Sequence, residues 1–219
     1  MVEEAGWQRP WAYSDSSERE AAMVRQAAGV LDLSPLGKVA VKGAERNVVA
    51  LLEAAWPEAG PAAPPLRATR VEAGAATVCR MAADEALVLT APPAQASTVR
   101  RLEERAASGS GCVHVLDVTS GQAGLRLAGP RAREVLRTCT ALDVRDGALP
   151  DLALGQTSLA RAPALVLRND YPDGLPAFSL FFGRDVAAFV WDWLMHVGEQ
   201  LGLGPFGLGA HQILGASQP

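Results

Sequence analysis

Apolar and polar residues alternate in short runs bounded by glycine and proline, and one such run is written twice. Residues 30 to 43 read VLDLSPLGKVAVKG, and residues 115 to 129 read VLDVTSGQAGLRLAG. In the first copy Val30 to Asp32 lead into a turn at Ser34-Pro35. The alternation from Lys38 to Lys42 then places Val39 and Val41 on one face, the period of a strand. Gly43 closes that strand, and Ala44 to Glu53 carries Val48, Val49, Leu51 and Leu52 at the spacing of an amphipathic helix. The second copy follows in parallel. Val115 to Asp117 meet a turn at Thr119-Ser120-Gly121, Leu125 and Leu127 alternate, and Gly129-Pro130 opens a helix containing Val135 and Leu136. Asp32 and Asp117 stand at matching places ahead of hydroxyl-bearing turns, so they are assigned to capping turn backbone rather than to acid–base chemistry.

The parallel continues downstream. RMAADEALVLT (80 to 90) and RNDYPDGLPAFSLFF (168 to 182) both read as hairpins feeding a strand, with Asp and small residues at the turn. Each half closes on a helix. In the second, Val186, Phe189, Val190, Trp193, Leu194 and Val197 fall on the i, i+3, i+4, i+7 template, whereas Trp191 and Trp193 point to different faces, so that one belongs in the core. Ahead of the first copy, Ser17 and Glu20 form a capping box for a helix with Ala21, Ala22, Met23, Val24 and Ala27. Four prolines in PEAGPAAPPLRA (57 to 68) make that stretch a connection, and AASGSG (106 to 111) has linker composition. The pattern predicts an α+β fold in one domain over residues 1–219. Its pseudo-repeats span about 29–106 and 114–201, each strand, helix, hairpin, strand, helix, with mixed or antiparallel sheets.

Charge and composition narrow the chemistry. Twenty basic and 24 acidic residues give a formal charge of −4 with no basic block, which argues against a nucleic-acid partner. No apolar run approaches the length of a membrane span, and the N-terminus is acidic, so a cytoplasmic protein is expected. Cys79, Cys112 and Cys139 are widely spaced and expected to be reduced and mostly buried. Nothing converges on His114 or His196, and no metal site is expected. Arg126, Arg131, Arg133 and Arg137 read as a basic stripe around the second repeat's helix, usually a solvated face, with an acidic partner surface or a polyglutamate tail as the alternatives.

Three stretches carry a family resemblance: EREAAMVRQAAGVLDLSPLGKVAVKGA, RNDYPDGLPAFSLFF and GPFGLGAHQIL together resemble the folate-binding domain of the glycine cleavage T-protein. DVTSGQAGLRLAGPRAREVLRTCTALDV, GQTSLARAPALVLR and FFGRDVAAFVWDWL resemble the gamma subunit of heterotetrameric sarcosine oxidase, of the same superfamily. The likeness covers residues 13 to 214 and ends where a T-protein continues into a C-terminal barrel, so no barrel is expected.

The resemblance implies tetrahydrofolate as cofactor and a site at Tyr171, Ser179 and His211. Tyr171 matches the family's hairpin tyrosine. Ser179 stands where the family has a glutamate for the pterin ring, and His211, eight residues from the chain end, stands where it has an arginine. The family's catalytic aspartate falls on Gly74, Ala75 or Ala76, so no catalytic residue is assigned. An imidazole can titrate near neutrality and meet a carboxylate ligand, but the position of His211 near the chain end, where fraying is common, favours a residue without a functional role. Two functions follow. One is a non-catalytic subunit of folate-linked one-carbon metabolism packed on a larger flavin-dependent amine (sarcosine) oxidase, with self-association as the other assembly. The second is a self-sufficient tetrahydrofolate-dependent aminomethyltransferase with an altered pocket.

Overall fold

The computed structural model describes residues 1–109 and 111–216. In chain order, β1 (Val2–Glu4) and β2 (Trp7–Arg9) form a small hairpin, followed by α1 (Ser17–Gln26) and β3 (Ala28–Asp32). Next come β4 (Gly37–Gly43), α2 (Glu45–Ala55), β5 (Arg67–Val71), β6 (Ala76–Ala82), β7 (Glu85–Thr90) and α3 (Gln95–Ser108). Then β8 (Val113–Asp117), β9 (Gln122–Ala128), α4 (Ala132–Cys139), β10 (Leu154–Leu159), β11 (Ala162–Arg168), β12 (Ala177–Gly183) and α5 (Ala187–Gly198) run in the same sequence of strands and helices. The chain closes with β13 (Leu203–Pro205) and α6 (Leu208–Gly215). The architecture is α+β, as the alternation predicts.

Contacts divide the chain into two compact units, residues 35–122 and residues 1–34 with 123–219. The unit boundaries differ from the repeat boundaries by one strand. The unit of residues 35–122 holds a five-stranded sheet in the order β5-β6-β7-β4-β8, antiparallel throughout. The other unit holds a six-stranded sheet in the order β10-β11-β12-β9-β3-β13, in which β10–β11, β11–β12 and β3–β9 pair antiparallel and β3–β13 pairs parallel. The opening strand of each repeat therefore lies beside the second strand of the other, β8 against β4 and β3 against β9.

Local sequence explains the elements. Val48, Leu51, Leu52 and Ala55 of α2 fall at helical spacing and are all buried against Val39, Val41 and Trp56. In the larger unit Leu127, Val135, Leu136, Phe178, Leu180 and Leu194 share one core. Gly129 follows β9 with φ of 115°, and a Cβ there would meet the Val24 carbonyl oxygen at 2.5 Å, so only glycine fits. The aspartate turns form as predicted: Ser34 N donates to Asp32 Oδ1 at 2.8 Å, and Thr119 N donates to Asp117 Oδ1 at 2.9 Å.

Several expectations are corrected. The cap of α1 is Ser16, one residue before the predicted box, accepting from Arg19 N at 3.2 Å. Glu20 is instead buried, accepting Tyr13 N and Ser14 N at 2.6 Å each and Gly207 N at 2.8 Å. On α5, Val190 and Leu194 enter the core with Trp191 packed against it, while Phe189 and Trp193 are exposed and lie 6.1 Å apart between ring centres. The cysteines are mostly buried, as expected: Cys79 and Cys139 are buried and Cys112 is exposed. The predicted linker at 106–111 begins as the last turn of α3, and its Ser110 lies outside the described residues.

Candidate functional site

The β11–β12 connection spans residues 169–176 and is braced before it can present anything. Arg168, buried at the end of β11, donates from Nε and Nη2 to the Asp170 carboxylate at 2.8–3.1 Å, and its Nη1 reaches the Leu149 carbonyl at 2.9 Å. Asp170 Oδ1 in turn accepts Ala177 N at 3.1 Å, and Tyr171 N donates to the Leu175 carbonyl at 3.0 Å. Charge-assisted bonds at both ends of a short loop fix its backbone. The side chain of Tyr171 is thereby held inward and buried.

Three elements bring their side chains to this tyrosine. His211, on α6, places Nδ1 2.7 Å from the Tyr171 hydroxyl, with the two rings edge to face at 5.7 Å. Arg126, on β9, lays its guanidinium carbon 4.4 Å from the centre of the Tyr171 ring, a cation–π contact, and donates from Nη2 to the Asn169 carbonyl at 2.9 Å. Ser179, on β12, is buried, and its hydroxyl donates to Asn169 Oδ1 at 3.0 Å. The structure thus joins Tyr171 directly to His211, and links both to Ser179 through Arg126 and Asn169.

Electrostatics follow from burial and the neighbouring charges. Burial holds the Tyr171 phenol above its usual pKa, partly offset by the Arg126 charge, so the hydroxyl keeps its proton. Burial and then the charges of Arg126 and Arg9 push His211 down to about 3. His211 is therefore uncharged, rather than titrating, at neutral pH. With the phenol protonated and the imidazole neutral, the Tyr171 hydroxyl donates to Nδ1 of a ring that carries its proton on Nε2. His211 is no frayed tail residue either, because Glu20 clamps the N-terminal end of α6 at Gly207.

Several carboxylates of this unit have partners of their own: Asp170 with Arg168, Asp173 with Arg25, Glu4 with Arg9, Asp32 with a turn amide and Glu20 with three amides, and the Asp173 charge also raises the Tyr171 pKa. Arg126 was read from sequence as part of a basic stripe. Instead it is a strand residue, buried within the site, while Arg133 pairs with Asp146 around α4. The available signal was an arginine between Leu125 and Leu127 in a strand that is apolar on both faces. Asn169 and Glu20 gave no such signal. No group of three or more His, Cys, Asp or Glu positioned for a metal occurs among the described residues.

A family model, the GCVT N-terminal domain, matches residues 1–217. The chain belongs to that family. Within it, the chain is 28% identical over 228 residues to the mitochondrial dimethylglycine dehydrogenase of Mus musculus, covering 93% of this chain and 26% of that protein. It is also 28% identical over 221 residues to an aminomethyltransferase of Symbiobacterium thermophilum, covering 98% of this chain and 59% of that one. The chain thus spans between about a quarter and three fifths of these relatives. Among solved structures, the glycine cleavage system aminomethyltransferase T of Bartonella henselae aligns with a TM-score of 0.77 at 22% identity, over 98% of this chain and 57% of that one. The heterotetrameric sarcosine oxidase of Corynebacterium sp. U-96 aligns with a TM-score of 0.67 at 18% identity, over 86% of this chain and 93% of the matched chain. These likenesses establish the T-protein-like fold of this GCVT N-terminal domain. No helix of the described residues is long and apolar enough to cross a membrane.

Proposed function

We propose that this GCVT N-terminal domain is a non-catalytic component of folate-linked one-carbon metabolism that packs against a larger flavin-dependent amine oxidase. The observation that carries this reading is that the Tyr171 and Ser179 hydroxyls are already bonded within the protein. The Tyr171 hydroxyl is bonded to a neutral His211, and the Ser179 hydroxyl to Asn169. A general acid or base needs a pKa near working pH and a free path to the reacting atom, and neither Tyr171 nor His211 has that pKa. The exposed Phe189–Trp193 pair on α5 supplies the kind of aromatic anchor from which subunit interfaces are built.

Tetrahydrofolate fits the residues present poorly. The guanidine-like edge of a pterin is a row of N–H donors that two carboxylate oxygens would match. Ser179 offers one hydroxyl already committed to Asn169, and the neighbouring Arg126 offers more donors. The second reading, an aminomethyltransferase with an altered pocket, is favoured by one observation: the buried Arg126 charge marks a place for a polar ligand. Calorimetry with tetrahydrofolate and 5-formyltetrahydrofolate on the purified protein separates the two. The proposal expects no saturable heat and no folate-dependent turnover of an aminomethyl donor. Binding that disappears in both Tyr171→Phe and His211→Ala would establish the transferase reading instead.

A further inference from the structure

The repeated VLD run lies in β3 of one unit and in β8 of the other, and the outer edges of these two strands are finished differently. On the edge of β3 that faces away from β9, the carbonyls of Val30 and Asp32 are both taken. Val30 accepts Phe206 N at 3.0 Å, just past the parallel strand β13, and Asp32 accepts Arg9 Nη2 at 2.6 Å. Leu31 between them is 3% exposed. In contrast, β8 ends its sheet. Val118 N donates to the Lys38 carbonyl at 2.9 Å, so along this antiparallel ladder Leu116 and His114 are the residues that bond β4. Val113, Val115 and Asp117 then turn their N–H and C=O groups away from it, and no strand or loop of the described residues pairs with them. Leu116, the counterpart of Leu31, is 63% exposed. Val113–Asp117 has no proline, lysine or bulge, the devices that keep an edge strand from pairing.

We propose that the free edge of β8 pairs antiparallel with β8 of a second copy of this chain, joining two five-stranded sheets across a two-fold axis. The edge is self-complementary about Val115. With Val115 facing Val115 of the second copy, the two residues exchange N–H···O bonds, and Asp117 does the same with Val113 of the second copy. Leu116 then faces His114 of the second copy and is withdrawn from water. The charges fit this register, because Asp117, the one carboxylate of the strand, meets a valine and no like charges stand opposite each other. The inference is independent of the partner-oxidase reading, which uses α5 of the other unit.

Sedimentation of the chain over a dilution series, with amide hydrogen exchange read by NMR, tests the pairing. A monomer–dimer equilibrium is expected, in which the amides of Val113, Val115 and Asp117 gain protection as concentration rises, while those of His114 and Leu116 are protected at every concentration. Val115→Pro removes an outward N–H without touching the bonds to β4, and by symmetry deletes two hydrogen bonds, so the dimer should weaken at least about tenfold. Leu116→Lys, at an exposed side chain, should weaken it as well, and it decides the matter if Val115→Pro does not fold. A monomer mass throughout, a dimer equally stable in these variants, or protection of the three amides that ignores concentration would overturn the proposal. So would protection that appears only when another protein is added to a monomeric chain.

Discussion

The two units repeat one strand order, β5-β6-β7-β4 beside β8 and β10-β11-β12-β9 beside β3, but furnish it differently. In one, Ala40 of β4 pairs with Leu116 of β8; in the other, Arg126 of β9 pairs with Leu31 of β3. Leu116 and Leu31 occupy the same place in the repeated VLD run, so alanine and a buried arginine hold matching registers. The hairpins differ in the same sense. Residues 83 and 84 alone separate β6 from β7, and Arg80 simply donates to the Ala83 carbonyl at 2.8 Å. Eight residues separate β11 from β12, and that loop carries Tyr171. The shared layout is what hydrophobic alternation and turn chemistry require. The residues added in one unit, Arg126 and the loop of Tyr171, serve no such requirement, which is the physical reason to place function there.

The comparison can be broken or sharpened in four ways. Leu127 and Leu87 are fully buried strand residues of the two units, and truncating either to alanine is expected to cost about 2–5 kcal/mol in denaturant unfolding. A cost confined to one unit would mean that only one of the cores holds the fold together. The acid response should belong to the larger unit. Because His211 is held near 3 when folded, well below its usual value of about 6.5, the unfolded chain takes up the proton first. Its contribution is complete above pH 6.5 and falls by about 1.4 kcal/mol per unit as pH drops toward 3. His211→Asn should remove that part of the acid limb of a stability–pH curve. Glu20→Gln replaces an all-acceptor group by one that turns donors toward backbone amides, at about 1–3 kcal/mol. Hydrogen exchange should rise in α6 and stay unchanged in α2 and α3. The smallest effect is the most symmetric: Asp32→Ala and Asp117→Ala each lose one turn hydrogen bond, about 0.5–1.5 kcal/mol apiece. Markedly unequal losses would argue against equivalent turns.

Where the chain has one physical solution, its sequence was readable. The aspartate turns need only a short acceptor two residues before an amide, and α2 has a single apolar stripe. The face of α5 was misread because AAFVWDWLMHVG is apolar almost all round, and two overlapping stripes satisfy the helical template. Packing chose the one with Trp191, leaving Phe189 and Trp193 outside. Tyr171, Ser179 and His211 were found through a family likeness and do gather in one region. Their state was not readable, since the neutrality of His211 depends on burial and on a guanidinium 85 positions away in sequence. Arg126 itself was grouped with arginines nearby in sequence, although the residues that surround it come from a loop and a helix much further along the chain.

The account turns on a His211 that burial, and after it the Arg126 charge, keeps neutral beside Tyr171. A pH titration of the His211 imidazole by NMR, in the wild-type protein and in Arg126→Gln, measures this directly. The account predicts a neutral ring throughout the range above about pH 4, and a pKa that moves upward when the guanidinium is removed. A wild-type ring that titrates near 6.5, or one indifferent to Arg126→Gln, would contradict it.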